Sequence, residues 1–175
     1  MKKATALNND NETIESLYYP LYDKLLNLWF PASEDFDVAP QWTIPGSKKS
    51  VDFAVTFAIQ FQEKPILLVE VKPPSAVAVE STRMEAIAQV LSLLDEVGPT
   101  NTSLDRLYAI SALGKRWRAC YATKGSTSQS GRSVAITGSS NTLRGHEVEN
   151  WAPDIVSEES FNAMNEIVNT IKGYL

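Results

Sequence analysis

The chain has 175 residues, 43% apolar and 21% charged, which suits one globular domain with one hydrophobic core. No apolar run approaches the ~20 residues that span a bilayer, and the polar stretch Asn8-Asn9-Asp10-Asn11 after the start leaves no apolar segment for a secretory signal. The lone cysteine, Cys120, excludes an internal disulfide and a cysteine zinc site; between Ala119 and Tyr121 it reads as a small buried hydrophobe, and the expectation is an intracellular protein of cytoplasm or nucleus.

In chain order, residues 1–12 are polar and read as a disordered tail, with one domain expected over 13–175. From Thr13 to Phe30 the apolar residues Ile14, Leu17, Tyr18, Leu21, Leu25, Leu28 and Trp29 recur at helical spacing. Pro20 interrupts them, so a kink is expected there, or one turn followed by a new helix with Pro20 near its start. Val38 to Ile44 is a candidate strand, closed by Pro45-Gly46, and Val51 to Phe61 a second. Gln62-Glu63-Lys64-Pro65 reads as a tight connection into Ile66 to Lys72, an apolar run suited to a central buried strand. After Pro73-Pro74, Ser81 to Val97 returns to helical periodicity, with Ile87, Val90, Leu91 and Leu94 facing the core. Leu104 to Ser111 and Trp117 to Ala122 are further strands, and Thr123 to Thr142 is a Ser/Thr/Gly-rich loop or irregular hairpin around Val134-Ala135-Ile136. Ser157 has the form of a helix N-cap, followed by Phe161, Met164, Ile167, Val168 and Ile171 on one face. The order is that of an α/β sandwich with a mixed sheet.

Strand alternation puts Glu70 and Lys72 on one face and Val69 and Val71 on the other. A carboxylate in so apolar a strand needs a cation, a metal or hydrogen-bond donors. Asp52 opens the preceding strand, and its separation of 18 residues from Glu70 lets the two ends of a hairpin meet. Paired carboxylates at a sheet end make a hard-oxygen site suited to Mg²⁺ or Mn²⁺.

With the helix, three-strand meander, helix and strand from Thr13 to Ser111, this constellation resembles the PD-(D/E)XK nuclease superfamily. The resemblance implies a restriction-endonuclease-like α/β core, a central mixed sheet flanked by helices in the order α-β-β-β-α-β. It further implies that Asp52 and Glu70 are metal ligands for Mg²⁺ (or Mn²⁺), that Lys72 assists an attacking water, and that Glu15 on the first helix is a further ligand. Gln89 on the second helix matches an accessory polar position of some branches, and Arg83 is a candidate phosphate contact. Val51, not proline, precedes Asp52. The implied function is metal-dependent phosphodiester hydrolysis of nucleic acid, DNA before RNA, with a homodimer left open; the alternative is an inactive nuclease-fold module that binds nucleic acid or protein.

The charge distribution bears on that partner. The total is −5, yet Gly46 to Gly145 holds 12 Lys/Arg against 8 Asp/Glu, so its local net is +4. Lys48, Lys49, Lys115, Arg116 and Arg118 are the candidate nucleic-acid contacts in this segment. His146 is the only histidine, lies in a polar stretch and reads as a surface residue, and no nucleophile motif or phosphate-cradling glycine loop accompanies it. Trp117, beside Arg116 and Arg118, is either a core anchor or a stacking platform.

Overall fold

The computed structural model describes residues 10–59, 62–98, 105–123, 132–133, 151 and 154–175. Residues 1–9, the stretch Val134-Ala135-Ile136 and His146 lie outside the described residues.

A 3₁₀ turn, Glu15–Leu17, leads into helix α1, Tyr19–Trp29, with Pro20 in its first turn, where a missing N–H costs nothing. Of the two alternatives for Pro20, the structure adopts the turn followed by a new helix. Strands β1 (Phe36–Thr43), β2 (Ser50–Ile59) and β3 (Gln62–Lys72) form an antiparallel meander. A 3₁₀ turn, Pro74–Ala78, and helix α2, Glu80–Val97, precede β4 (Arg106–Leu113), which pairs parallel to β3. Strand β5 (Arg116–Thr123) and the short β6 (Arg132–Ser133) add antiparallel neighbours, so the sheet order is β1-β2-β3-β4-β5-β6. Helix α3, Glu158–Lys172, ends the chain, and Ser157 caps it by accepting the Ser160 N–H at 3.2 Å, as its sequence position implies.

The segment Gln62 to Pro65 differs from expectation, because it is strand and not connection. Pro65 pairs with Thr56 where the register slips by one residue, so the proline that cannot donate to the ladder sits at a bulge.

The sheet is covered on both faces. Tyr22, Leu26 and Trp29 of α1 and Met164, Ile167 and Ile171 of α3 pack against Phe53, Leu67, Val69, Val71, Ile110 and Trp117. Val90, Leu93, Leu94 and Val97 of α2 pack against Ala54, Leu68, Leu107 and Ala109 on the opposite face. Burial on both faces is why β3 reads as a continuous apolar run, and each fully buried Leu, Val or Ile contributes roughly 1.5–3 kcal/mol. Cys120 and Trp117 are both core residues, and burial pushes the Cys120 thiol up to about 12, which leaves it unreactive. Among the described residues no helix is long and apolar enough to cross a membrane.

The sheet forks at one end. The β1–β2 pairing continues to Thr43 opposite Ser50, and the β3–β4 pairing continues to Lys72 opposite Leu113. Between them, the β2–β3 pairing stops at Phe53 opposite Val69. Asp52 and Glu70 are the first residues past the point of separation.

Candidate active site

At the fork, Asp52 substitutes for the missing ladder. Its Oδ2 accepts the main-chain N–H of Val71 at 2.8 Å, while Oδ1 accepts the Tyr19 hydroxyl at 2.7 Å and the Gln41 side-chain amide at 3.2 Å. Three donors from three elements hold the carboxylate in one orientation. A carboxylate has about four acceptor positions, so one on Oδ2 stays open.

Glu70 lies on the α2 face of β3 and is 5% exposed. Its Oε1 accepts the Lys72 ammonium at 2.9 Å and the Gln89 side-chain amide of α2. Its Oε2 is buried and accepts no hydrogen bond. Burial, followed by the charge of Asp52, raises the Glu70 carboxyl above the ordinary value, and Lys72 opposes the rise. The Lys72 ammonium is also raised: burial works against it, but Glu70, then Glu15 and Asp52, prevail. The Lys72 ammonium pairs with Glu70 alone and feels Glu15 and Asp52 through their charge, so carboxylates outnumber cations at the fork.

That excess, the open Oε2 of Glu70 and the open position on Asp52 fit a hard divalent cation. Mg²⁺ commonly takes one or two carboxylates and completes its shell with water and substrate phosphate. A three-ligand arrangement is absent: among the described residues no three His, Cys, Asp or Glu side chains group so as to hold a metal. Glu15 lies in the 3₁₀ turn before α1, and its Oε1 accepts the Tyr19 hydroxyl at 3.2 Å, so it reaches the fork through Tyr19.

Tyr19 and Gln41 were not singled out in the sequence. Tyr19 stands four residues after Glu15, a spacing at which helical side chains meet. Gln41 falls opposite Asp52 once the β1–β2 hairpin is centred on Gly46-Ser47, as the pairs Pro40 with Phe53 and Thr43 with Ser50 show, and that symmetry is the signal that could have found it.

The other candidates distribute around the same sheet end. Arg83 donates to the Val77 carbonyl and so braces the turn before α2; it does not join Glu70 and Lys72. Lys48 is exposed on the loop before β2, and Lys49 beside it pairs with Glu96 at 2.5 Å. Lys115, in the β4–β5 turn, pairs with Asp154 at 2.8 Å. Arg116 lines a cavity of about 330 Å³ with Tyr18, Pro74, Val77, Leu113 and Asp154. Because Thr43, Ser50, Lys72, Leu113 and Arg116 end or begin their strands together, this loop and this turn flank the fork. Arg118 continues the cross-strand row Glu70, Ser111, Arg118, with its guanidinium 5.8 Å from the Trp151 ring centre, and burial lowers its pKa.

No family model matches this sequence, and no curated protein matches it. A solved structure does: the type IIG restriction endonuclease BpuSI, with a TM-score of 0.53 and 17% identity over 89% of this chain. The chain spans 16% of that enzyme's length, so the likeness concerns one region of a larger protein. At this identity the match is one of architecture. The chain has a restriction-endonuclease-like α/β fold, a mixed sheet between helices.

Proposed function

We propose that this chain is a divalent-metal-dependent nuclease of the PD-(D/E)XK class, acting on phosphodiester bonds of nucleic acid, DNA before RNA. The observation that carries the reading is the buried Glu70 carboxylate, its Oε2 open, beside Asp52 at the mouth of a forked sheet, with Lys72 on the same face.

Asp52 and Glu70 would hold Mg²⁺ or Mn²⁺. When bound, such an ion lowers the pKa of its water and stabilises charge on a leaving oxygen. Gln89 fixes the Glu70 rotamer through Oε1 and leaves Oε2 for the metal. Lys72 can trade part of its contact with Glu70 for a water or a phosphate oxygen, since its side chain keeps 27% of its exposure. Lys48 and Arg116, on either side of the fork, supply phosphate contacts.

The test is cleavage of plasmid, single-stranded DNA and RNA with Mg²⁺ or Mn²⁺, with and without EDTA, for the wild type and for Asp52→Asn, Glu70→Gln and Lys72→Met. Metal-dependent cleavage lost in all three variants is the expected result; cleavage that survives them, or survives EDTA, sinks the reading. The acidic net charge of −5 favours a second reading, a nuclease-fold module that binds nucleic acid or protein without cutting. It predicts binding unaffected by EDTA and no turnover.

A further inference from the structure

Gln41 has a backbone conformation that its place in the sheet does not explain. It lies within β1, yet the ladder passes from Pro40 opposite Phe53 to Trp42 opposite Val51 and leaves it out. Its φ is +51°, a left-handed conformation disfavoured for any residue with a Cβ. Its side chain is exposed, so burial does not hold it there. The contact it makes is with the candidate site: its amide donates to Asp52 Oδ1 at 3.2 Å.

We infer that Gln41 is a positioning residue for Asp52, kept in a strained backbone conformation so that its amide, with the Tyr19 hydroxyl, orients the carboxylate at the fork. Strain at one residue is the means, and a carboxylate aimed with one acceptor position open is the result. The consequence for metal affinity rests on the nuclease reading. The consequence for the Asp52 carboxylate does not, because Asp52 also accepts the Val71 N–H, and that amide reports on its orientation.

The experiment compares Gln41→Ala, Gln41→Gly and Gln41→Asn with the wild type by amide hydrogen exchange at Val71, thermal melting and Mn²⁺ titration. Alanine removes the amide and keeps the strain. Glycine removes both, so its melting temperature lies about 2–4 °C above that of the alanine variant. In both, the Val71 amide exchanges at least about threefold faster and Mn²⁺ binds about tenfold more weakly, the lower end of the usual loss when a partner of a metal ligand is removed. Asparagine tolerates the left-handed conformation and keeps an amide, and it restores most of the Val71 protection. Unchanged Val71 exchange in the alanine and glycine variants overturns the inference, as does a glycine variant that melts below the alanine one. A wild type that binds no Mn²⁺, with Val71 protection still dependent on Gln41, supports the positioning role and overturns the nuclease reading alone.

Discussion

The main-chain N–H of Gly114 donates to the Lys72 carbonyl at 2.8 Å, so the β4–β5 turn ties down the strand end that carries the candidate lysine. The Gly114 carbonyl in turn accepts the Tyr22 hydroxyl at 2.8 Å, which links helix α1 to the same point. Gly114 has φ +62°, and a Cβ there would stand 2.7 Å from Pro74 Cβ. Proline cannot move aside as a flexible side chain would. Gly114→Ala is therefore expected to destabilise the fold by roughly 2–4 kcal/mol, combining left-handed strain with overpacking. Urea unfolding of the variant measures this, and a loss below 1 kcal/mol would show that the turn relaxes freely.

The pH dependence of metal binding follows from Glu70. Its carboxyl is raised by burial and by Asp52 and lowered by Lys72, and only the ionised form is a ligand. Mn²⁺ affinity should rise with pH through a transition above the ordinary glutamate range. Lys72→Met removes the ammonium that lowers the Glu70 pKa, so the transition should move to higher pH. Mn²⁺ titrations at a series of pH values, with binding and not turnover as the readout, test this; a transition that moves down or stays fixed contradicts it.

The same shift has a consequence for stability in the absence of metal. A raised carboxyl binds its proton more tightly in the folded state, so its stabilising contribution is full below the unfolded value near 4.5 and is lost as pH rises through the folded value. At neutral pH, Glu70→Gln should thus melt higher than the wild type, and the difference should vanish on acidification below about pH 4. Mn²⁺ should reverse the order by stabilising the wild type alone, by about 2.7 kcal/mol at a concentration of 100 times Kd. Melting curves across pH, with and without Mn²⁺, decide the point.

Among the basic candidates the ion pairs predict a ranking. Among the described residues no ion pair involves Lys48 or Arg116, whereas Lys49 and Lys115 pair with Glu96 and Asp154. Lys48→Ala and Arg116→Ala should each reduce the slope of log affinity against log salt by about 1, and Lys49→Ala should reduce it less. Anisotropy titrations with labelled DNA between about 50 and 200 mM salt are the measurement. Equal slopes for all variants would remove this end of the sheet from the nucleic-acid path.

Much of the fold and part of the candidate site were legible from residue order. Glu70 stood out because a carboxylate in an apolar strand needs a partner, and the structure supplies two donors, from Lys72 and Gln89. The helix beginning near Pro20, the meander and the Ser157 cap follow from local rules of φ, periodicity and capping. Arg83 shows the limit of that approach. Its position on α2 suits a phosphate contact, yet its guanidinium donates to the Val77 carbonyl six residues before it. Trp117, flanked by two arginines, is core because β5 turns that side chain toward α1 and α3.

By itself the sequence determined which residues alternate and which recur at helical spacing, and so the α/β order and the face shared by Glu70 and Lys72. Only the tertiary structure decided where the β2–β3 ladder stops, that Asp52 takes the Val71 N–H in its place, and that Tyr19 and a left-handed Gln41 converge on that carboxylate. The physical reason is one of range. Burial patterns and caps are settled within a few residues of chain, whereas the end of a ladder and the partner of a polar side chain depend on groups distant in sequence. Asp52 and Val71 are 19 residues apart, Tyr19 and Asp52 are 33, and no local period encodes either pairing.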